Sequence, residues 1–235
     1  MPHLFVNRPR YHHLTTRSTE PATHFRWETA NAAIYTIGGA VFIAGSMMFF
    51  PRFAALEDVG AWLFFAGSLL YVVVTAHDMA EATRYCRTLA RPTLAAKLEL
   101  AAATAYLTGT LLFAVGSILF LSWVDQRDGG AWCFVVGSLL FVFGACVNVL
   151  QIVEARSLVT LQLMNLTAIS FVVGSLLFAL ASVPYLWQVE TADDRHLLYS
   201  YLAWQFLIGS GLFFLGGVFN YWRALLVTRG SLLET

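Results

Sequence analysis

Six apolar runs, at 29–50, 60–80, 98–123, 131–153, 158–187 and 199–222, alternate with short polar connections along the chain. Each run reaches the roughly 20 residues that cross about 30 Å of hydrocarbon at a rise of about 1.5 Å per residue. None has the two-residue alternation of a barrel strand, and a helix satisfies every backbone group within its own segment. The pattern therefore predicts six transmembrane helices. The third and fifth runs leave room for tilt or an interfacial extension. Pro184 is placed at the end of the fifth, where a missing backbone donor costs least.

Composition strengthens this reading. Of 235 residues, 58% are hydrophobic and 12% are charged, about half the charged share of a soluble domain. Mean hydropathy is +0.67, so lipid is the expected partner. The formal net charge is zero, which gives no ground for a nucleic-acid partner. Lys97 is the one lysine among fourteen basic residues. Cys86, Cys133 and Cys146 form no CxxC motif or disulfide framework and are expected as buried apolar side chains. Residues 1–24 are polar and contain no apolar signal core. The first apolar run is therefore expected to act as an uncleaved anchor rather than a secretory leader.

Basic residues set the orientation. Arg8, Arg10, Arg17, Arg26, Arg84, Arg87, Arg91, Lys97, Arg156, Arg223 and Arg229 fall on one side; Arg52, Arg127 and Arg195 fall on the other. Both termini are expected in the cytoplasm, with the chain in a bacterial inner membrane. The outer loops are short and acidic, with Glu57, Asp58, Asp125, Asp128, Glu190, Asp193 and Asp194. Trp62, Trp123, Trp132, Trp187 and Trp204 mark the outer interface, and Trp27, Tyr85, Tyr221 and Trp222 mark the inner one, as amphipathic rings prefer.

The runs repeat. Each carries a Gly-Ser pair: Gly45-Ser46, Gly67-Ser68, Gly116-Ser117, Gly137-Ser138, Gly174-Ser175 and Gly209-Ser210. The even runs align without gaps over 61–78, 131–148 and 203–220, and the odd runs share F-x-x-G-S-x-x-F at 42–49, 113–120 and 171–178. The fold expected is an all-α integral membrane protein of three parallel helix-hairpin repeats. Its parts are a flexible arm (1–24), hairpins at 25–84, 96–155 and 158–226, and a tail (227–235). Equivalent packing would put the relating axis along the membrane normal. Glycines seven residues apart, such as Gly38 and Gly45 or Gly109 and Gly116, return to nearly the same helix face. They read as packing positions for close backbones. The Gly-Ser pairs are expected in one layer roughly 7–12 Å below the outer surface.

The string F-x-x-G-S-x-x-F-x-x-P, a short acidic loop and then G-x-W-x-F-x-x-G-S-x-x-F, at 42–51 with 60–71, resembles the YrhK-like family of small bacterial membrane proteins. Residues 113–141 resemble it again, with Trp123 in place of Pro51, and 171–213 form a divergent third copy. The resemblance implies a two-helix membrane module, and it carries over no activity and no catalytic residue.

The same alignment puts Asp78, Asn148 and Asn220 at one position. Intramembrane polar groups are functional candidates by default, and under threefold symmetry these would form a ring able to hold a cation or a proton. Their depth, about 26 Å from the outer end, reads first as solvation at a helix end. Glu28 and Glu99 share a position read as a favourable first-turn carboxylate. His77, Asp78 and Glu81 have metal-ligand spacing on one helix face, but the other copies have Val147 with Gln151 and Phe219 with Arg223 there. His3, His12, His13 and His24 read as a solvated arm. No G-x-S-x-G, HExxH, P-loop or dinucleotide fingerprint occurs. Neither enzyme activity, a cofactor nor a metal is expected. The leading expectation is a structural or accessory membrane subunit, associating with another membrane protein or with itself. The alternative is a small transporter or channel with a path between the hairpins.

Overall fold

The computed structural model describes residues 21–150, 158–187 and 191–233, with side chains over 28–150, 158–187 and 191–226. Arg8, Arg10, Arg17, His3, His12, His13, Gln151, Arg156 and Glu190 lie outside the described residues, as do the side chains of His24, Arg26, Trp27 and Arg229.

The described residues form six long helices and no strand: α1 Pro21–Met48, α2 Glu57–Thr88, α3 Leu94–Leu119, α4 Arg127–Leu150, α5 Leu158–Ser182 and α6 Ala192–Leu233. All six are long and apolar enough to cross a membrane. Short 3-10 segments follow α1 at Pro51–Leu56 and α5 at Val183–Leu186. Each begins at or beside a proline, where the helical hydrogen-bond ladder loses a donor. Thr93 caps α3 by accepting from the Ala96 amide at 3.2 Å. Asp125, φ 52°, takes the left-handed turn between α3 and α4, a conformation that aspartate tolerates better than most residues.

Helices outrun the apolar segments. α1 starts at Pro21, inside the stretch expected as a mobile arm, and α6 continues to Leu233 through most of the expected tail. Hydropathy registers apolar stretches rather than helix as such, so polar helix ends are invisible to it.

Each helix packs against its neighbours in chain order, and α6 packs against α1, closing a ring. Among the described residues the backbones of non-neighbouring helices stay apart, and only side chains meet across the ring. The α1–α2, α3–α4 and α5–α6 connections share one end, called outer here because the charge pattern assigns it so. The interior is a column of aromatic rings. Phe42, Phe113 and Phe178, one from each odd helix, meet with ring centroids 6.4, 6.2 and 5.6 Å apart. Phe64, Phe134 and Phe206, from the even helices, form a second triangle at 6.0, 6.4 and 5.9 Å. These separations lie in the range of favourable aromatic pairs.

Glycine is what lets these rings lie against backbone. A Cβ on Gly137 would stand 2.8 Å from Phe113 and 3.0 Å from the Gly109 carbonyl oxygen. One on Gly209 would stand 2.9 Å from Phe178 and 3.1 Å from the Gly174 carbonyl oxygen. Gly67 faces Phe42 and Gly38 in the same way. Phe178, rather than Phe171, therefore occupies the place of Phe42 and Phe113. The third odd helix sits one heptad out of the register that its F-x-x-G-S-x-x-F motif gives. The expected single Gly-Ser layer is corrected with it. Gly45 faces Gly60 and Gly116 faces Gly130, while Gly67, Gly137 and Gly209 face Gly38, Gly109 and Gly174, about 10 Å further in.

The serines bond back onto their own helices. Ser46, Ser68, Ser117 and Ser175 donate to the carbonyls of Phe42, Phe64, Phe113 and Phe171 at 2.7–2.8 Å. Ser182, at the position of Ser46 once the heptad is corrected, does the same to Phe178 at 2.7 Å. Ser46 and Ser210 also share a hydrogen bond of 2.9 Å across the α1–α6 seam, whereas the buried Ser138 hydroxyl has no partner among the described residues. The cysteines depart from expectation in part: none is in a disulfide, as expected, but Cys86 and Cys133 are only half-buried and Cys146 is exposed. The five outer tryptophans, Trp62, Trp123, Trp132, Trp187 and Trp204, stand exposed on the outside of the ring.

Candidate polar site at the inner end

Seven-residue steps place one stripe of each helix on the axis. On α2 it runs Glu57, Phe64, Tyr71, Asp78; on α4 Arg127, Phe134, Phe141, Asn148; on α6 Tyr199, Phe206, Phe213, Asn220. The odd helices contribute Glu28, Tyr35, Phe42, Phe49; Glu99, Tyr106, Phe113, Phe120; and Met164, Phe171, Phe178, Tyr185. The signal was present in the spacing, but it hides among many phenylalanines and was legible only for glycine.

Inward of the phenylalanines the stripe turns polar in two steps. Tyr35 stacks on Tyr71 at 4.6 Å, and Phe171 touches Tyr35 and Tyr106 at 5.8 and 6.1 Å. Next come Asp78, Asn148 and Asn220, with 1%, 0% and 2% of their surface exposed. Helix-end solvation is thereby corrected. Because α2 and α6 extend several turns beyond Asp78 and Asn220, these side chains stay inside the bundle.

Buried polar groups need partners, and some are plain. Asn148 donates its amide to the Tyr106 hydroxyl at 3.1 Å. Asn220 accepts from the Arg223 guanidinium at 3.1 Å, and Arg223 pairs with Glu28 at 3.5 Å. The structure thus ties Asn148 to Tyr106, and it ties Asn220 to a separate chain ending on α1. Glu28 and Glu99 are not first-turn residues, since α1 and α3 begin earlier, at Pro21 and Leu94. Glu28 instead serves as the partner of a buried arginine, and Glu99 is itself buried. Sequence reasoning missed Tyr106 and the burial of Arg223.

His77, Asp78 and Glu81 bring one imidazole and two carboxylates within 4.8 Å of one another on one face of α2. Zinc ligands at about 2.0–2.2 Å from the metal stand closer together than that, and three side chains would leave the fourth position to water. The matching positions of α4 and α6 supply no such set. The arrangement can carry a proton or orient a cation at the inner mouth, but the rings outward of it close the axis.

The outer end is held differently. Asp58 accepts from the Ser122 amide and hydroxyl at 2.8 and 2.6 Å, and Glu57 pairs with Arg127 at 3.1 Å. Both contacts tie the first hairpin to the second.

A family model described as YrhK-like protein matches residues 25–82 and again 96–153, which are the helix pairs α1–α2 and α3–α4. No curated relative and no solved structure matches the chain.

Proposed function

The chain belongs to the YrhK-like family, whose module it carries twice in tandem, and from that premise we propose that it is a non-catalytic, non-conducting membrane bundle serving as a structural or accessory subunit. The observation carrying this reading is the triangle of Phe42, Phe113 and Phe178 in mutual contact on the axis. A hydrated path needs polar lining or an open bore, and the middle of this column offers neither. α5–α6 is a diverged third copy of the module, which the matching glycine and phenylalanine contacts support once its odd helix is moved by one heptad. Eleven basic residues against three favour an inner-membrane orientation with both termini cytoplasmic. Lipid surrounds the ring, and the partner is another membrane protein or a second copy.

Flux through proteoliposomes tests the reading. The wild-type chain is expected to pass protons, potassium and sodium at the rate of empty vesicles, and Asp78→Ala is expected to leave that rate unchanged. Flux above background that Asp78→Ala abolishes would establish the transporter alternative instead.

A further inference from the structure

The outward face of the ring is not uniform. Between α3 and α4 lies a groove of about 490 Å³ whose lining includes Lys97, Ala101, Thr104, Ala105, Thr108 and Phe143. It is a shallow groove, open to the outside of the ring. The α3 residues recur every three to four positions, so they share one helix face, and small side chains on that face make the depression. From Lys97 to Thr108 the helix rises about 16 Å, close to one leaflet of a hydrocarbon core of about 30 Å. The groove thus starts at the inner interface and ends near the midplane.

Charge stands at one end of it. Lys97 is exposed, and Arg87 and Arg91, also exposed, precede it. The Cys86 thiol donates to the Ala96 carbonyl at 3.3 Å, holding the end of α2 beside the start of α3. The matching face of α5 carries Gln162, Leu166, Ile169, Ser170 and Val173, with no basic residue and bulkier side chains that leave less room, while that of α1 carries Ala30, Ala33, Ile34 and Ile37.

We infer that this groove binds an anionic phospholipid of the inner leaflet, with one acyl chain along α3 and its phosphate on Lys97. Basic pockets between membrane helices on the cytoplasmic side have the right chemistry for such headgroups. The inference rests on the membrane orientation proposed above.

Native mass spectrometry of the full chain in mild detergent tests it, using phosphatidylglycerol and phosphatidylcholine with identical chains. Wild type is expected to retain phosphatidylglycerol at least fivefold better. Lys97→Gln, at an exposed position, is expected to lower that preference about fivefold, the effect of one basic residue near a membrane surface. Ala101→Phe, with helicity checked by circular dichroism, is expected to reduce retention of both lipids. Equal retention by wild type, or an unchanged preference in Lys97→Gln, overturns the inference. Binding in detergent does not depend on flux, so failure here leaves the bundle reading standing, and flux above background removes that reading without touching this one.

Discussion

The stripe Arg127, Phe134, Phe141, Asn148 on α4 passes through three environments on one helix face. In the middle, Phe134 and Phe141 meet Phe113 at 4.9 and 5.1 Å. At the inner end, Asn148 is equally buried but holds a particular partner, Tyr106. A ring in a close-packed column needs volume and contact, and many contacts share the load. A buried amide needs a donor or acceptor in one place. The middle of the axis should therefore respond to changes of size, and the inner end to changes of hydrogen-bonding capacity.

The largest effect is expected in the middle. Phe113 touches the rings of Phe42, Phe134, Phe141 and Phe178 on the axis. Phe113→Ala should cost about 3–5 kcal/mol, the range for removing a buried ring and leaving a cavity. Thermal unfolding in detergent measures it. If Asn148→Leu destabilises more than Phe113→Ala, the middle is not the mechanical centre of the bundle and the comparison fails.

Adding volume tests the same region from the other side. Gly137→Ala pushes a methyl group against Phe113 and the Gly109 carbonyl, and overpacking of this kind costs about 1–3 kcal/mol. Gly211 has nothing within 4 Å of a Cβ. Gly211→Ala should be neutral or gain up to about 1 kcal/mol from helix propensity. Equal effects at the two glycines would show that propensity, not ring contact, governs the glycine positions.

The inner end should respond more modestly. Asn148→Leu removes a single interhelical hydrogen bond, worth about 0.6 kcal/mol on average and up to about 1.7 kcal/mol between membrane helices. A double-mutant cycle with Tyr106→Phe isolates it. Once either partner is gone, the second substitution should add little. Strict additivity would mean that the 3.1 Å contact carries no energy.

These expectations depend on register, where the sequence was only partly legible. The six helices and the gapless alignment of the even runs follow from hydropathy and spacing. The odd helix of the third hairpin does not follow, for a physical reason. Phenylalanine and glycine recur at seven-residue steps, so sliding α5 by one heptad preserves the motif and only packing chooses between the two registers. Gly174 facing the Gly209 carbonyl and Phe178 meeting Phe42 settle that choice. The burial of Asp78 and Asn220 was hidden because it depends on helices continuing past the apolar runs, in stretches that read as interface. The pairing of Asn148 with Tyr106 was hidden because hydrogen-bond partners on neighbouring helices leave no periodic trace.

The smallest effect belongs to the outer end of the stripe. Glu57 and Arg127 occupy the same heptad position as each other and pair at 3.1 Å with 25% and 35% of their side-chain surfaces exposed. A partly exposed pair of this kind contributes about 0.2–1 kcal/mol. Glu57→Gln should therefore lower stability by no more than about 1 kcal/mol. Because the attraction passes partly through water, the loss should shrink at about 1 M salt, where the screening length falls to roughly 3 Å. Asn148→Leu should show no such salt dependence, since no water separates its partner. A salt-insensitive loss at Glu57 would place that carboxylate in a drier setting than its exposure indicates, and the outer end would then belong with the inner one rather than opposite to it.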